Sequence, residues 1–169
     1  MRAAIFLDRD GVINHDPGDY TKHVSEFHLL PTVLEALKVL KDRGFDFVVI
    51  TNQGGIAKGL YSHEDVDEIH AELQRICAEN GTPLLDLYYS PHHPNYGESL
   101  SRKPGSLMIE RACARHGIDP ARSWMVGDKE RDLEAGRGAG VPGLLIPVNG
   151  SLLEATQHLP FTPEAEAHV

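Results

Sequence analysis

Cysteine is scarce. The two residues, Cys77 and Cys113, stand too far apart for a Cys-x-x-Cys metal or redox motif and are too few for a disulfide scaffold. They read as buried thiols in a reducing compartment. Long hydrophobic runs are also missing: no apolar stretch approaches the ~20 residues of a membrane span. The opening MRAAIFLD has too short an apolar run, and no small-residue cleavage site, for a secretory signal. A soluble, cytoplasmic protein is expected. Positive charge is in deficit, with 16 Lys and Arg against 25 Asp and Glu, a net charge of −9. Such a chain is repelled by phosphate backbones and anionic membranes, so neither nucleic acid nor a membrane is an expected partner. A small anionic substrate stays open, because a local basic cluster or a bound metal can overrule the global field. Internal repeats and low-complexity blocks are absent. What is present, 41% hydrophobic and 24% charged residues over a length of 169, suits one soluble globular domain.

Strand-like and helix-like segments alternate. Ala3–Leu7 reads as a short buried strand. Pro31 opens a helix with Val33, Leu34, Leu37 and Leu40 on its apolar side and Gly44 at its end. Phe45–Thr51 reads as a second strand. Ser62 and Asp65 resemble a capping box ahead of Val66, Ile69, Leu73 and Ile76, with Gly81 as the stop. Leu84–Tyr89 is a third strand, Ser106–His116 a helix stopped by Gly117, and Ser123–Val126 a fourth strand. Glu130–Ala139 is a short helix and Gly143–Ile146 a fifth strand. This alternation predicts an α/β fold: a doubly wound, five-stranded parallel sheet with helices on both faces. Two long loops, 11–30 and 90–104, interrupt it, and loops of such length are usually functional. Residues 1–146 form the expected domain. Residues 147–169, with three prolines and few apolar positions, read as a peripheral tail with one short helix near Leu152–Ala155.

The chemistry-bearing residues fall at carboxyl ends of predicted strands: Asp8 and Asp10 after the first, Thr51, Asn52 and Gln53 after the second, Asp128 after the fourth. In an open α/β sheet the ligand crevice lies there. For those ends to meet, the first strand must lie between the second and fourth, so the chemistry requires a sheet order of 3-2-1-4-5. Two carboxylates as close as Asp8 and Asp10 repel unless a cation lies between them or one is protonated. Mg²⁺ takes oxygen ligands from one or two carboxylates, waters and substrate phosphate, and a carboxyl group held off the metal can shuttle a proton. Asp128 brings a third carboxylate to the same edge, although it could equally cap the following helix. Arg102 and Lys103 supply cations, the lysine as a point charge for a phosphoryl oxygen and the arginine as a planar fork for a second anionic group.

In order along the chain, DRDGVIN follows a strand, TNQGGIAKG follows a strand, RKP opens a helix and GDKERD follows a strand. This pattern resembles the haloacid dehalogenase (HAD) superfamily of phosphohydrolases over roughly residues 3–146. Within it the chain is similar to the heptose bisphosphate phosphatase and histidinol phosphatase branch. The resemblance implies that Asp8 is the nucleophile, forming an aspartyl-phosphate, and that Asp10 is the acid and base. It implies that Mg²⁺ is held by the carboxylates of Asp8 and Asp128 and the backbone carbonyl of Asp10, with Asp132 in support. Thr51 and Lys103 would steady the transferring group, while Asn52, Arg102 and Lys129 would bind substrate. The segment NHDPGDY, with Asp16 and Tyr20, resembles the substrate-contacting loop of the heptose branch. No large cap domain can be accommodated.

The resemblance also implies one departure. The branch often carries a zinc loop with a Cys-x-His start and a Cys-x-Cys end before Arg-Lys-Pro. Here Ser90, Ser99 and Ser101 stand at the cysteine positions. A neutral hydroxyl is a poor zinc ligand, and His92 and His93 alone do not complete a tetrahedral site. No structural zinc is expected, and the loop should be held by hydrogen bonds and packing. The expected substrate is D-glycero-D-manno-heptose 1,7-bisphosphate, losing its C7 phosphate, with histidinol phosphate as the alternative. A receiver-type phospho-acceptor domain would need an Asp after the third strand, where Tyr89 and Ser90 stand. A silent binding module would lack one of Asp8, Asp10, Thr51, Lys103 or Asp128, and all are present. No long apolar seam is left over, so a monomer is expected.

Overall fold

In the computed structural model, residues 1–167 are described. The strands are β1 (Ala4–Leu7), β2 (Asp46–Asn52), β3 (Asp86–Ser90), β4 (Trp124–Gly127) and β5 (Gly143–Leu145). All pair in parallel, in the order β3-β2-β1-β4-β5. This is the order that the chemistry required. The main helices are α1 (Val33–Asp42), α2 (His63–Glu79), α3 (Leu107–His116) and α4 (Glu130–Gly138), followed by the short α5 (Leu152–Ala155) and α6 (Pro163–Glu166).

Every residue of β1 is buried, because side chains alternate between two covered faces. Ile5 and Leu7 pack with Val49 and Val126 against α1, α2 and α5. Ala4 and Phe6 pack with Val48, Ile50 and Met125 against α3 and α4. Full burial of one such large side chain stabilises the fold by about 1.5–3 kcal/mol. That is why a four-residue strand can anchor the sheet centre. Among the described residues no inserted cap domain interrupts this layering.

Local signals explain most boundaries. Ser62 and Asp65 form the capping box of α2, the Ser62 side chain accepting from the Asp65 amide. Proline 31 does not occupy the first turn of α1. The helix starts at Val33, after Thr32, whose left-handed backbone (φ +69°) has no side-chain cap. The Thr32 hydroxyl lies 3.2 Å from that of Ser151, so a contact with the C-terminal segment accompanies that conformation.

The same segment departs from the expected periphery. Leu152, Ala155 and Leu159 are buried in the α1 side of the core. The Arg43 guanidinium donates to the carbonyls of Thr156 and Leu159. Gly44, at φ +95°, lacks a Cβ that would stand 2.3 Å from the Thr162 hydroxyl. The segment looked peripheral because its apolar residues are few, stand among polar ones and are broken by three prolines, too short a run to mark a core helix. The last two residues of the expected tail lie outside the described residues.

Candidate active site

The carboxyl end of β1 continues into a tight turn. Asp8 still donates its amide to the Val126 carbonyl of β4 (3.1 Å). The Arg9 carbonyl then accepts from the amides of Val12, Ile13 and Asn14. Gly11 makes the turn possible at φ +84°, and a Cβ there would lie 2.3 Å from Asp128 Oδ2. The absent side chain lets β4's carboxylate approach the turn.

Lys103 Nζ is buried between two carboxylates, 2.8 Å from Asp8 Oδ1 and 2.6 Å from Asp132 Oδ1, and also donates to the Ile50 carbonyl (2.8 Å). Burial alone would lower the lysine's proton affinity, but Asp8 and Asp132 outweigh it and keep the ammonium charged. Burial pushes the Asp8 carboxyl up. Lys103 opposes this, and the neighbouring charges of Asp132 and Asp10 add to it. Asp128 is raised for the same first reason. Its carboxylate is only 1% exposed, yet neither oxygen has a hydrogen-bond partner.

Asp8, Asp128 and Asp132 each offer an oxygen within 4.8 Å of the others, the one such group among the described residues. Three close carboxylates, one of them buried and unpartnered, have the donor set of a hard-cation site. Buried carboxylates are otherwise paired or neutralised, so these residues fit Mg²⁺.

Asp10 is held differently. Arg9 Nη2 (2.9 Å) and Asn14 Nδ2 (3.0 Å) donate to its Oδ1, and Gln53 Nε2 (3.1 Å) donates to its Oδ2. Burial pushes its carboxyl up, but the Arg9 guanidinium and these hydrogen bonds outweigh that and hold it below the usual range. Gln53, to which the sequence pattern assigns no role, joins this network. Its Nε2 also donates to Thr51 Oγ1 (2.9 Å), and its Oε1 accepts from the Tyr61 hydroxyl (2.8 Å). Arg9, wholly buried, contacts His70 Nε2 at 3.1 Å. The sequence's one pointer to this network was an arginine set directly between the two acids, Asp8 and Asp10; its burial is seen only in the structure.

The expected substrate residues separate into two sets. Asp8, Asp10, Asp16, Asp19, Tyr20, Asn52, Asp128, Lys129 and Arg131 line a cavity of about 110 Å³. Asn52, however, has both amide atoms engaged with the backbone of Lys103, donating to its carbonyl (3.1 Å) and accepting from its amide (3.0 Å). Lys129 is half-exposed, 3.9 Å from Asp128 Oδ2. A neighbouring cavity of about 170 Å³ shares Tyr20, Asn52 and Arg131 and adds Gly54, His93 and Arg102. Arg102 and Arg131 have no ion-pair partner among the described residues. Burial and the like charge of Arg131 lower the proton affinity of Arg102. Arg131 was missed in the sequence. Its only pointer was its place in the first turn of α4, three residues after Asp128. Lys58 lies outside both cavities, its ammonium over the Tyr20 ring at 5.2 Å.

In loop 90–104 the three serines converge. The Ser101 hydroxyl lies 3.2 Å from that of Ser90 and 2.9 Å from that of Ser99, and the Ser101 amide donates to Ser99 Oγ at 3.2 Å. Arg102 Nη1 donates to the His92 carbonyl (2.8 Å), closing the loop.

Comparison with known proteins agrees with this geometry. The HAD-hydrolase-like family model matches residues 100–168. A D-glycero-beta-D-manno-heptose-1,7-bisphosphate 7-phosphatase of Haemophilus influenzae is 42% identical over 146 residues, 83% of this chain and 79% of the relative. The D-glycero-D-manno-heptose-1,7-bisphosphate 7-phosphatase of Chlorobaculum tepidum is 39% identical over 153 residues, 84% of this chain and 77% of the relative. The crystal structure of D,D-heptose 1,7-bisphosphate phosphatase from B. bronchiseptica, complexed with magnesium and phosphate, superposes with a TM-score of 0.79 at 33% identity, covering 98% of this chain and 90% of that one. On the strength of that identity across most of both chains, this chain belongs to the heptose-1,7-bisphosphate 7-phosphatase family of HAD-like phosphatases.

Proposed function

We propose that this protein hydrolyses the C7 phosphate ester of D-glycero-D-manno-heptose 1,7-bisphosphate through an aspartyl-phosphate on Asp8. The observation that carries the reading is Lys103 buried between Asp8 and Asp132, beside the unpartnered carboxylate of Asp128. A carboxylate oxygen of Asp8 attacks phosphorus, the bond to the C7 oxygen breaks, and Asp10 gives that oxygen a proton. Water then attacks phosphorus, Asp10 takes its proton, and the bond to Asp8 breaks, releasing inorganic phosphate. Lys103 neutralises charge on the phosphoryl oxygens, and Thr51 orients them. The donors around Asp10 keep it ionised, which suits the second step. For the first step, the negative charge of a bound phosphoryl group raises its proton affinity.

Asp8 and Asp128, with the Asp10 carbonyl, would hold Mg²⁺, and Asp132 would support it. The ion supplies charge neutralisation and orientation of the phosphate. Arg102 and Arg131, unpaired in their own cavity, suit the second phosphate of the sugar. Asp16 and Tyr20 face the sugar from the loop side.

Phosphate release from the heptose bisphosphate and from histidinol phosphate, each with Mg²⁺ and with EDTA, tests the reading. Preference for the heptose, abolished by EDTA, is expected. Preference for histidinol phosphate overturns the substrate. No helix among the described residues is long and apolar enough to cross a membrane. The free cysteines suit a cytoplasmic setting. We read the protein as a monomer, which size-exclusion chromatography with light scattering checks.

A further inference from the structure

After β5 the chain returns to the site at Asn149. This residue stands in the left-handed region, at φ +57°, which asparagine adopts more readily than most residues with a side chain. Its amide donates to the Gly11 carbonyl at 2.9 Å, beside the turn that carries Asp8 and Asp10. Its side chain pairs in both directions with the backbone of Asp16. Oδ1 accepts from the Asp16 amide (2.7 Å), and Nδ2 donates to the Asp16 carbonyl (2.9 Å).

One residue therefore ties the catalytic turn to the loop bearing Asp16, Asp19 and Tyr20, all of which line the catalytic cavity. Between Asp16 and Tyr20 the other tethers are at the surface: Asp19 pairs with Lys22 at 3.5 Å, and the Lys58 ammonium lies over the Tyr20 ring at 5.2 Å. Pro17, Gly18 and Asp19 are exposed and belong to no helix or strand. Gly18 donates its amide to the loop's own Asp16 Oδ1 (2.9 Å), and the Tyr20 ring rests against Tyr61 at 5.8 Å.

We propose that Asn149 is a positioning residue that pre-sets the Asp16–Tyr20 loop for the sugar portion of the substrate. Recognition of the sugar phosphate depends on it, while phosphoryl transfer does not. This rests on the heptose bisphosphate reading given above. The physical reason is preorganisation. A loop already held at Asp16 loses less conformational freedom when substrate binds, and a loop released from the clamp must be ordered at the expense of binding free energy. A carboxamide suits the task because it supplies one acceptor and one donor, the pair that a backbone N–H and C=O require.

Asn149→Gly removes the side chain and keeps the left-handed backbone accessible, so folding is spared. Two readouts decide. The first is steady-state kinetics with D-glycero-D-manno-heptose 1,7-bisphosphate and with p-nitrophenyl phosphate, a probe lacking the sugar. KM for the bisphosphate should rise about tenfold, on the scale of two neutral hydrogen bonds. The kcat for both substrates should stay within about twofold, which a general structural weakening would not allow. The second readout is hydrogen exchange at the Asp16 and Gly18 amides without any substrate, which should quicken by about tenfold or more in the variant.

An unchanged KM with unchanged exchange overturns the proposal, and so does a parallel fall of kcat on both substrates. If the wild-type protein does not hydrolyse the bisphosphate, the substrate reading fails by itself. The exchange rates still judge the clamp: faster exchange supports it, and unchanged exchange refutes it.

Discussion

The ammonium of Lys103 lies 2.8 Å from a carboxylate oxygen of Asp8, and both side chains are all but excluded from water. Asp132 holds the ammonium from its other side at 2.6 Å. The lysine is thus fixed before any phosphate arrives, and its charge needs no reorganisation at the moment of transfer.

Replacing it with an uncharged chain of similar length, Lys103→Met, should lower kcat about 10²–10³-fold, the scale of losing one preorganised electrostatic partner. It should also weaken the fold by about 3–5 kcal/mol, because Asp132 is left buried without its cation. Phosphate release at saturating Mg²⁺ and a denaturant melt read the two effects separately. Turnover within threefold of wild type would show that the charge on Lys103 is not used.

Asp8→Asn removes the attacking oxygen's charge and keeps the side-chain shape. Turnover should drop by about 10⁴-fold or more, as for the loss of a nucleophile in other covalent hydrolases. Inorganic phosphate should still bind, since Lys103 and Thr51 are untouched. Calorimetric titration with phosphate checks the binding. Rapid quench should detect the acid-stable trace of a phosphorylated aspartate in wild type only.

Gln53 reaches Asp10 and Thr51 with one amide nitrogen and is itself held by the Tyr61 hydroxyl. Gln53→Leu frees both groups at once and should reduce kcat about 10–100-fold, the range of mispositioned acid–base catalysis, with a smaller change in KM. Tyr61→Phe, which removes only the hydroxyl that steadies Gln53, should have a weaker effect of the same kind. A change confined to KM would place Gln53 in substrate binding instead.

The converging hydroxyls of Ser90, Ser99 and Ser101 predict a loop that owes nothing to zinc. Elemental analysis of protein purified without added metal should give less than about 0.1 zinc per chain, since hydroxyls do not replace thiolates as ligands. A zinc-selective chelator should leave the melting temperature and the Mg²⁺-supported turnover unchanged. Stoichiometric zinc would refute the expectation.

His70 is buried beside Arg9, and first desolvation and then the like charge of the guanidinium push its pKa down to about 3 from 6.5. The unfolded chain therefore binds a proton that the folded chain refuses between those values. This group's contribution is intact above about pH 6.5 and declines as the pH falls toward about 3, by up to about 1.4 kcal/mol per pH unit. His70→Gln, which keeps an acceptor for Arg9, should flatten the acid side of the stability curve. Urea melts from pH 7 to pH 4 measure the slope, and identical slopes in the two proteins would exclude the effect.

Much of the site was visible in local pattern. Asp8, Asp10, Thr51, Asn52 and Asp128 each end a strand whose apolar run marks it, so their placement on one sheet edge followed once the strand order was set. Asn52 shows the limit of such reading. The residue was visible, but its engagement with the Lys103 backbone was not, because that contact joins positions 51 residues apart. Arg131 and Gln53 carried no pattern of their own, since one guanidinium or one carboxamide in a polar stretch has the composition of any solvated turn. Asn149 was hidden for the same reason.

Strand and helix identity, the parallel sheet and the acids at its edge were written locally, in the period of apolar residues and in the turn and cap residues between them. Those features depend on neighbours a few positions apart. Which oxygen meets which donor, the return of residues 147–167 onto the core, and the bond from Asn149 to the Asp16 loop were decided only by packing. They arise from contacts between positions 43 to 133 residues apart in the chain, whose partners are selected by shape and by the need to satisfy buried polar groups.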